Sequence, residues 1–314
     1  MSYPLTLHII GGQGGNAFSF DGRSNAATLQ KLSVSVGGWQ VRGVEVWLTD
    51  GRRQKFGTVD SSAQQFEFQS GEFMSQLSLW GNGAGTRLGA IKFRTSRNRE
   101  FFAKMTDEDL NTEFKIDVGS GVCLRVEGRS GTDIDCMGFL FLNAIKSSMI
   151  DNMNYPTMHQ VIPNVQIEES KNKVYENDTT IVQSHTFQTS KKLTRTSSWS
   201  TSNKSTTFSL TVSAGIPLIM EMEAGFSFTV SSVKTHALVE SVEWMETLTF
   251  PVLIPPCKTV TVVANIGRAN IDLPYKALLR ITCMNGALFD VPLSGVYKGL
   301  SYTKMTDNVV PTYA

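Results

Sequence analysis

The sequence predicts an all-β protein of two lobes, and three observations carry that prediction. Apolar and polar residues alternate with period two along much of the chain, glycine-rich turns interrupt the alternation at short intervals, and no stretch sustains a helical period. The 314 residues are about twice a typical domain length of roughly 150, which sets the expectation of two domains. Leu5-Thr6-Leu7-His8-Ile9, Leu32-Ser33-Val34-Ser35-Val36 and Val44-Glu45-Val46-Trp47-Leu48 read as half-buried strands, followed by runs at 76–80, 88–93, 113–118, 122–126 and 138–142. Residues 106–112 alone resemble a turn of helix. Many short strands at near-regular spacing argue for a barrel, prism or sandwich. Between Ile145 and Pro163 the alternation lapses, and this stretch reads as a linker that divides domains at 1–148 and 149–314.

Composition excludes several function classes. With 41% hydrophobic and 18% charged residues the chain is globular rather than disordered. A net charge of +1 creates no field that would gather nucleic acid, so no nucleic-acid partner is expected. The four cysteines, Cys123, Cys136, Cys257 and Cys283, form no CxxC pair, and neither metal nor other cofactor is expected. They read as small buried hydrophobes, with a bridge within each half left open. The first residues lead straight into an amphipathic strand without a secretory signal, and no run approaches about 20 apolar residues. The expectation is a soluble chain that begins in the cytosol and reaches glycan-bearing membranes by a route that needs no signal peptide.

Two glycine pairs, Gly11-Gly12 and Gly14-Gly15, follow the first strand and form a loop whose backbone a ligand can approach closely. A dinucleotide fingerprint is rejected, because Ala17-Phe18-Ser19-Phe20-Asp21-Gly22 alternates as a strand where that fold needs a helix. The run GGQGGNAFSFDG at 11–22 resembles the opening of jacalin-related lectins, and GTDID at 131–135 matches their GxxxD sugar loop. That resemblance covers residues 1 to about 145 and implies a three-sheeted β-prism. It also implies a sugar site in which the Asp135 carboxylate accepts hydroxyl protons, completed by Asp133, Thr132, Gly131, Gly14 and Gly15. Galactose-selective members use an amino terminus made by cleavage beside the glycine loop. Here the chain runs unbroken through it, so mannose-type glycans are the expected ligand. The loop 81–87 is placed to add contacts.

The back half has a different texture. Of residues 196–213, 12 are Ser or Thr. Phe208, Leu210, Val212 and Ala214 alternate with small polar residues, as do Phe226, Phe228 and Val230, with an apolar stretch including Ile216, Pro217 and Leu218 between them. This is the pattern of a membrane-crossing β-hairpin, with a lipid face and a face of Ser and Thr, whose tip is expected at 215–219. From 206 to 232 the only charges are Glu221 and Glu223. One hairpin leaves unpaired edges that lipid cannot satisfy, so insertion requires several chains to close a barrel.

Residues from about 150 onward resemble the elongated, twisted β-sheet lobe of aerolysin-like toxins, in which such a hairpin is stored against the sheet. A jacalin-like lectin followed by that lobe resembles the natterin-like, aerolysin-type proteins. The expected function is a lectin-guided pore former that binds mannose-type membrane glycans, assembles with its own copies and meets lipid. The alternative is a non-lytic glycan-binding protein whose second lobe only mediates oligomerisation.

An enzyme is not expected. Asp133 and Asp135 lie two apart on one loop without a separated carboxylate partner, GxSxG and HExxH are absent, and His8, His159, His185 and His236 are scattered. The acceptor motifs at Asn177 and Asn203 are read as chance matches.

Overall fold

The computed structural model describes residues 3–201, 210–223 and 225–312. The described chain is built from strands, with 3-10 turns at Arg23–Asn25 and Met158–Gln160. It divides into two compact units. The first runs to Asp151 and takes in Leu278–Leu293; the second holds Asn152–Thr201, Thr211–Ala277 and the residues from Ser294 on.

Three four-stranded sheets make up the body of the first unit. Leu5–Gly11, Ile134–Leu142, Cys123–Ser130 and Asn16–Asp21 form one; Arg53–Gly57, Val41–Leu48, Leu29–Val36 and Gln64–Glu67 the next; Glu113–Ile116, Met74–Gly81, Leu88–Thr95 and Glu100–Lys104 the third. The alternation seen in the sequence is the packing rule. Leu32, Val34, Val44, Val46, Leu79 and Phe93 are buried in one core cluster. Phe66 meets Phe93 edge-on at 4.9 Å and Phe93 stacks on Phe101 at 5.0 Å. Each such side chain contributes about 1.5–3 kcal/mol on burial. Ile134–Leu142 is buried at every position, because it lies between two neighbours in its sheet and beneath the core.

Two expectations are corrected here. Residues 106–112 form no helical turn, because the N–H groups of Thr106 and Asp107 donate to the carbonyls of Gly37 and Gly38. Ile145–Asn154 is a strand rather than part of a linker. It lies between Thr211–Ala214 and Lys258–Cys283, so pairing on both sides overrides its polar composition. Ile150 is buried, and Asp151 is held by Arg280 at 2.8 Å.

The second unit is organised around the residues up to Ala277 of Lys258–Cys283, a strand of 26 residues within a nine-stranded sheet. Its buried side chains switch face at one point. Val260, Val262, Ala264 and Ile266 are buried, and beyond Gly267 the buried set is Ala269, Ile271, Leu273, Tyr275 and Ala277. A one-residue change of phase turns the opposite face inward. Gly267 sits at the switch, bonded to Thr303 through both its N–H and its C=O. On one side of that point the core comprises Tyr175, Phe187, Val252 and Ile254 with Val260, Val262, Ala264 and Met305.

Asn177 is buried at 1% exposure, and its amide donates to the carbonyls of Ile181, Ile254 and Pro255 while its Oδ1 accepts from Thr179. A glycan cannot be attached there without unfolding the turn. Asn203 lies outside the described residues. All four cysteines are free thiols; Cys123, Cys136 and Cys283 are buried and Cys257 is exposed. Burial pushes the Cys123 thiol up to about 12.

Two measurements check this description. Burial alone would raise the carboxyl of Glu72, but bonds from Gln69 N–H, the Thr95 hydroxyl and the Arg99 guanidinium outweigh it and hold the group below its ordinary value. A depressed folded value means the stabilisation is complete above the ordinary carboxylate range and is lost as pH falls through the folded value. Glu72→Gln is therefore expected to lower stability near pH 7 by about 1–3 kcal/mol and to flatten the acid limb of unfolding, read by urea titration at several pH values. In the second unit, the Tyr155 hydroxyl accepts from Trp199 Nε1 at 3.3 Å and donates to the Gly215 carbonyl at 3.1 Å. Tyr155→Phe leaves both buried groups unpaired, and a loss of about 1–3 kcal/mol is expected in the same titration.

Candidate functional site

Strand register brings the two predicted sugar loops together. Gly11 pairs with Cys136 and Asn16 pairs with Ser130, so residues 12–15 and 131–135 emerge side by side at one end of the same sheet. Gly12 N–H donates to the Asp135 carbonyl at 2.7 Å, and Gly131 N–H donates to the Asp133 carbonyl at 3.0 Å. Thr132 is exposed and its carbonyl accepts from the Thr58 hydroxyl at 2.8 Å. A β-carbon on Gly14 would collide with Asp135 Oδ1, and one on Gly15 with Oδ2. The glycines are required because the carboxylate lies directly against their backbone. Gly15 also has φ of 60°, in the left-handed region that favours glycine.

The carboxylate is not open. The Asp135 side chain is only 3% exposed, and Oδ1 is paired with Arg87 Nη1 at 2.8 Å. Arg87 Nε also lies 3.7 Å from Asp133 Oδ2. Arg87 ends the loop 81–87, which is braced by Asn82, whose Oδ1 accepts from the amides of Thr86 and Arg87. That loop lies so close to Gly12 that a β-carbon there would strike the Thr86 carbonyl. On the other side, Arg129 donates from Nε to the Gly14 carbonyl and from Nη2 to the Gly15 carbonyl, both at 2.8 Å. The sequence marked the loop 81–87 as a contributor but identified neither arginine. Their role depends on which sheet ends meet, and no local motif encodes that.

The second predicted element is the hairpin. Phe208 lies outside the described residues. Thr211–Ala214 pairs with Lys234–Ala237, and Pro217–Met222 pairs with Gly225–Val230 in a separate two-stranded sheet. The chain therefore reverses between Met222 and Gly225, not at 215–219. Pro217 opens a strand, a position where its missing N–H is tolerated. Val212, Ile216 and Phe228 are buried, Leu210, Leu218 and Phe226 are half-buried, and Val230 is exposed.

The two faces differ from expectation as well. Phe226, Phe228 and Val230 lie opposite Glu221, Ile219 and Pro217, while Ser227 and Thr229 lie opposite Met220 and Leu218. The small polar face thus belongs to one strand only, because the partner strand is apolar at both parities apart from Glu221. At the base of the hairpin, His236 stacks on Trp199 with ring centroids 5.4 Å apart, and its Nδ1 meets Glu240 at 2.7 Å.

A β-prism with a glycine-cradled carboxylate, followed by a lobe of very long strands, defines a lectin domain joined to a toxin-type β-sheet domain. Comparison with known proteins agrees. Residues 7–140 match the jacalin-like lectin domain, and residues 141–308 match the family of Clostridium epsilon toxin ETX and Bacillus mosquitocidal toxin MTX2. The chain belongs to that aerolysin-type toxin family and carries a jacalin-like lectin domain in front, the arrangement that its resemblance to natterin-like proteins implied. It is similar to lamprey immune protein, whose crystal structure superposes with a TM-score of 0.98 at 72% identity, covering 99% of this chain and 100% of that one. Malaysian banana lectin is 21% identical, with a TM-score of 0.37 over 44% of this chain and 97% of its own. The mannose-binding lectin from champedak is 22% identical, with a TM-score of 0.35 over 44% and 97%. No curated protein gives a significant match.

The packing at the cradle has a direct test. Gly14→Ala places a methyl group against Asp135 Oδ1 and is expected to lower the thermal stability of the folded protein by about 1–3 kcal/mol, through overpacking rather than backbone strain.

Proposed function

We propose that this protein is a lectin-guided pore former. Its first unit binds mannose-type glycans on a membrane, copies of the chain gather there, and each contributes the segment around residues 206–232 to a transmembrane β-barrel. The observation that carries this reading is the union of two features in one chain: the Asp135 carboxylate held against Gly14 and Gly15, and the toxin-type domain over residues 141–308. Nothing in the arrangement at Asp133 and Asp135 calls for bond cleavage, and we read the protein as a binding and assembly device rather than an enzyme. Its site of action in this reading is a glycan-bearing membrane reached from the soluble state.

A hexose edge supplies neighbouring hydroxyls, each donor and acceptor. A carboxylate has lone pairs beyond the one that meets Arg87, so where a ligand opens the cradle around its 3% exposed side chain Asp135 can accept a sugar hydroxyl beside the arginine. Membrane assembly then follows from physics. In lipid every backbone group of the hairpin edges needs a partner, and only the hairpins of neighbouring copies supply a closed ring. Exposed Met220 and Met222 are already apolar surface near the reversal.

Dye release from vesicles carrying high-mannose glycolipid, set against bare vesicles, tests the reading. Glycan-dependent release with crosslinked oligomers is expected, and glycan binding without release would favour the lectin whose second lobe only oligomerises. Phe226→Asp is expected to keep glycan binding and suppress release, because a charge on the lipid face destabilises a barrel in a depth-dependent way, for a carboxylate by less than the about 2–4 kcal/mol of an Arg or Lys at the midplane. Unchanged release in that variant would move the inserting segment elsewhere.

A further inference from the structure

The sugar site is richer in fixed donors than a neutral sugar requires. Two guanidinium groups converge on Gly14. Arg87 Nη1 lies 3.7 Å from the position a Gly14 β-carbon would occupy, and Arg129 Nε donates to the Gly14 carbonyl at 2.8 Å. Their charges are held differently. Arg87 is partnered by Asp135 and Asp133, whereas Arg129 is fixed by two backbone carbonyls and forms no ion pair among the described residues.

Exposure orders these groups from inside to outside. The Asp135 and Asp133 side chains are 3% and 19% exposed, and Arg87 is 37% exposed. The acceptors are turned inward and the donors outward. Arg87 Nη1 donates to the Thr86 carbonyl at 2.9 Å and lies 2.8 Å from Asp135 Oδ1, while Nη2 has no partner among the described residues. Arg129 donates from Nε and Nη2, and its Nη1 likewise has no partner among the described residues. A guanidinium donates and never accepts, and its fork matches the oxygens of an oxyanion.

We propose that Arg87 and Arg129 are specificity-determining residues and that the site takes a mannose-type sugar bearing a phosphate ester. This rests on the reading that Asp135 binds a mannose-type sugar. The sugar hydroxyls meet Asp135, and the ester oxygens meet the free N–H groups of the two arginines. A tetrahedral phosphate offers terminal oxygens in several directions and can be met by two guanidinium groups from different sides. The inward-facing aspartates hold Arg87 and the Gly14 and Gly15 carbonyls hold Arg129.

The test compares binding of the full chain to phosphorylated mannan and to the same mannan after phosphatase treatment, by biolayer interferometry at low and high ionic strength. Replacing neutral contacts by charge-assisted ones predicts a preference for the phosphorylated form of at least about tenfold, shrinking as salt rises. Arg87→Gln and Arg129→Gln are each expected to bring the ratio toward one, and Arg87→Lys to retain part of it; a circular dichroism melt confirms that each variant is folded. Equal binding of the two mannans by the wild-type chain would overturn the proposal and leave the mannose reading standing. Binding of neither would overturn both. A preference that persists unchanged in folded Arg87→Gln and Arg129→Gln would place phosphate recognition elsewhere and overturn the assignment to these residues.

Discussion

Pairing of backbone N–H and C=O groups between strands is the constraint on which this structure rests. An α-helix satisfies those groups within itself, but the strands here find partners only in other strands, often far away in sequence. Leu5–Gly11 is completed by Ile134–Leu142, and Gln166–Asn177 by Lys258–Cys283. Local hairpins such as Leu88–Thr95 with Glu100–Lys104 supply some of the pairs, but the sheets close only through partners distant in sequence. The same constraint bears on the proposed membrane step, where edges left open in water have to be closed by neighbouring copies.

The geometry of the candidate sugar site follows from how those pairings end. Because Gly11 faces Cys136 and Asn16 faces Ser130, two loops more than a hundred residues apart share one corner. A carboxylate is costly to bury, and Asp135 is tolerated there because Arg87 supplies its counter-charge and the two glycines let backbone approach it. The arginine therefore stabilises the buried acid, and in the proposed reading its remaining donors meet the ligand.

The hairpin of the second unit shows the opposite economy. Its base belongs to the large sheet, while Pro217–Met222 and Gly225–Val230 form a sheet of only two strands. An isolated pair of strands is marginal in water, and here it is anchored by buried Ile219 and Phe228 and by Tyr155, which reaches the carbonyl of Gly215. This segment thus has few sheet bonds and a defined anchor.

The sequence by itself determined the all-β class, the glycine loop, the GTDID loop and the amphipathic stretches around Val212 and Phe228, because alternation and turn chemistry are local properties. It misread Ile145–Asn154 as linker and Pro217 as part of a hairpin tip, since both depend on neighbours: a polar strand is held when paired on two sides, and proline is accepted where a strand begins. The change of buried face at Gly267 and the amide bonds that close off Asn177 were likewise invisible in the chain. Only the tertiary structure decided that Arg87 lies on Asp135 and that Arg129 holds the glycine loop. Both depend on which sheet ends meet, and that is fixed by long-range strand pairing rather than by any residue's nearest neighbours in sequence.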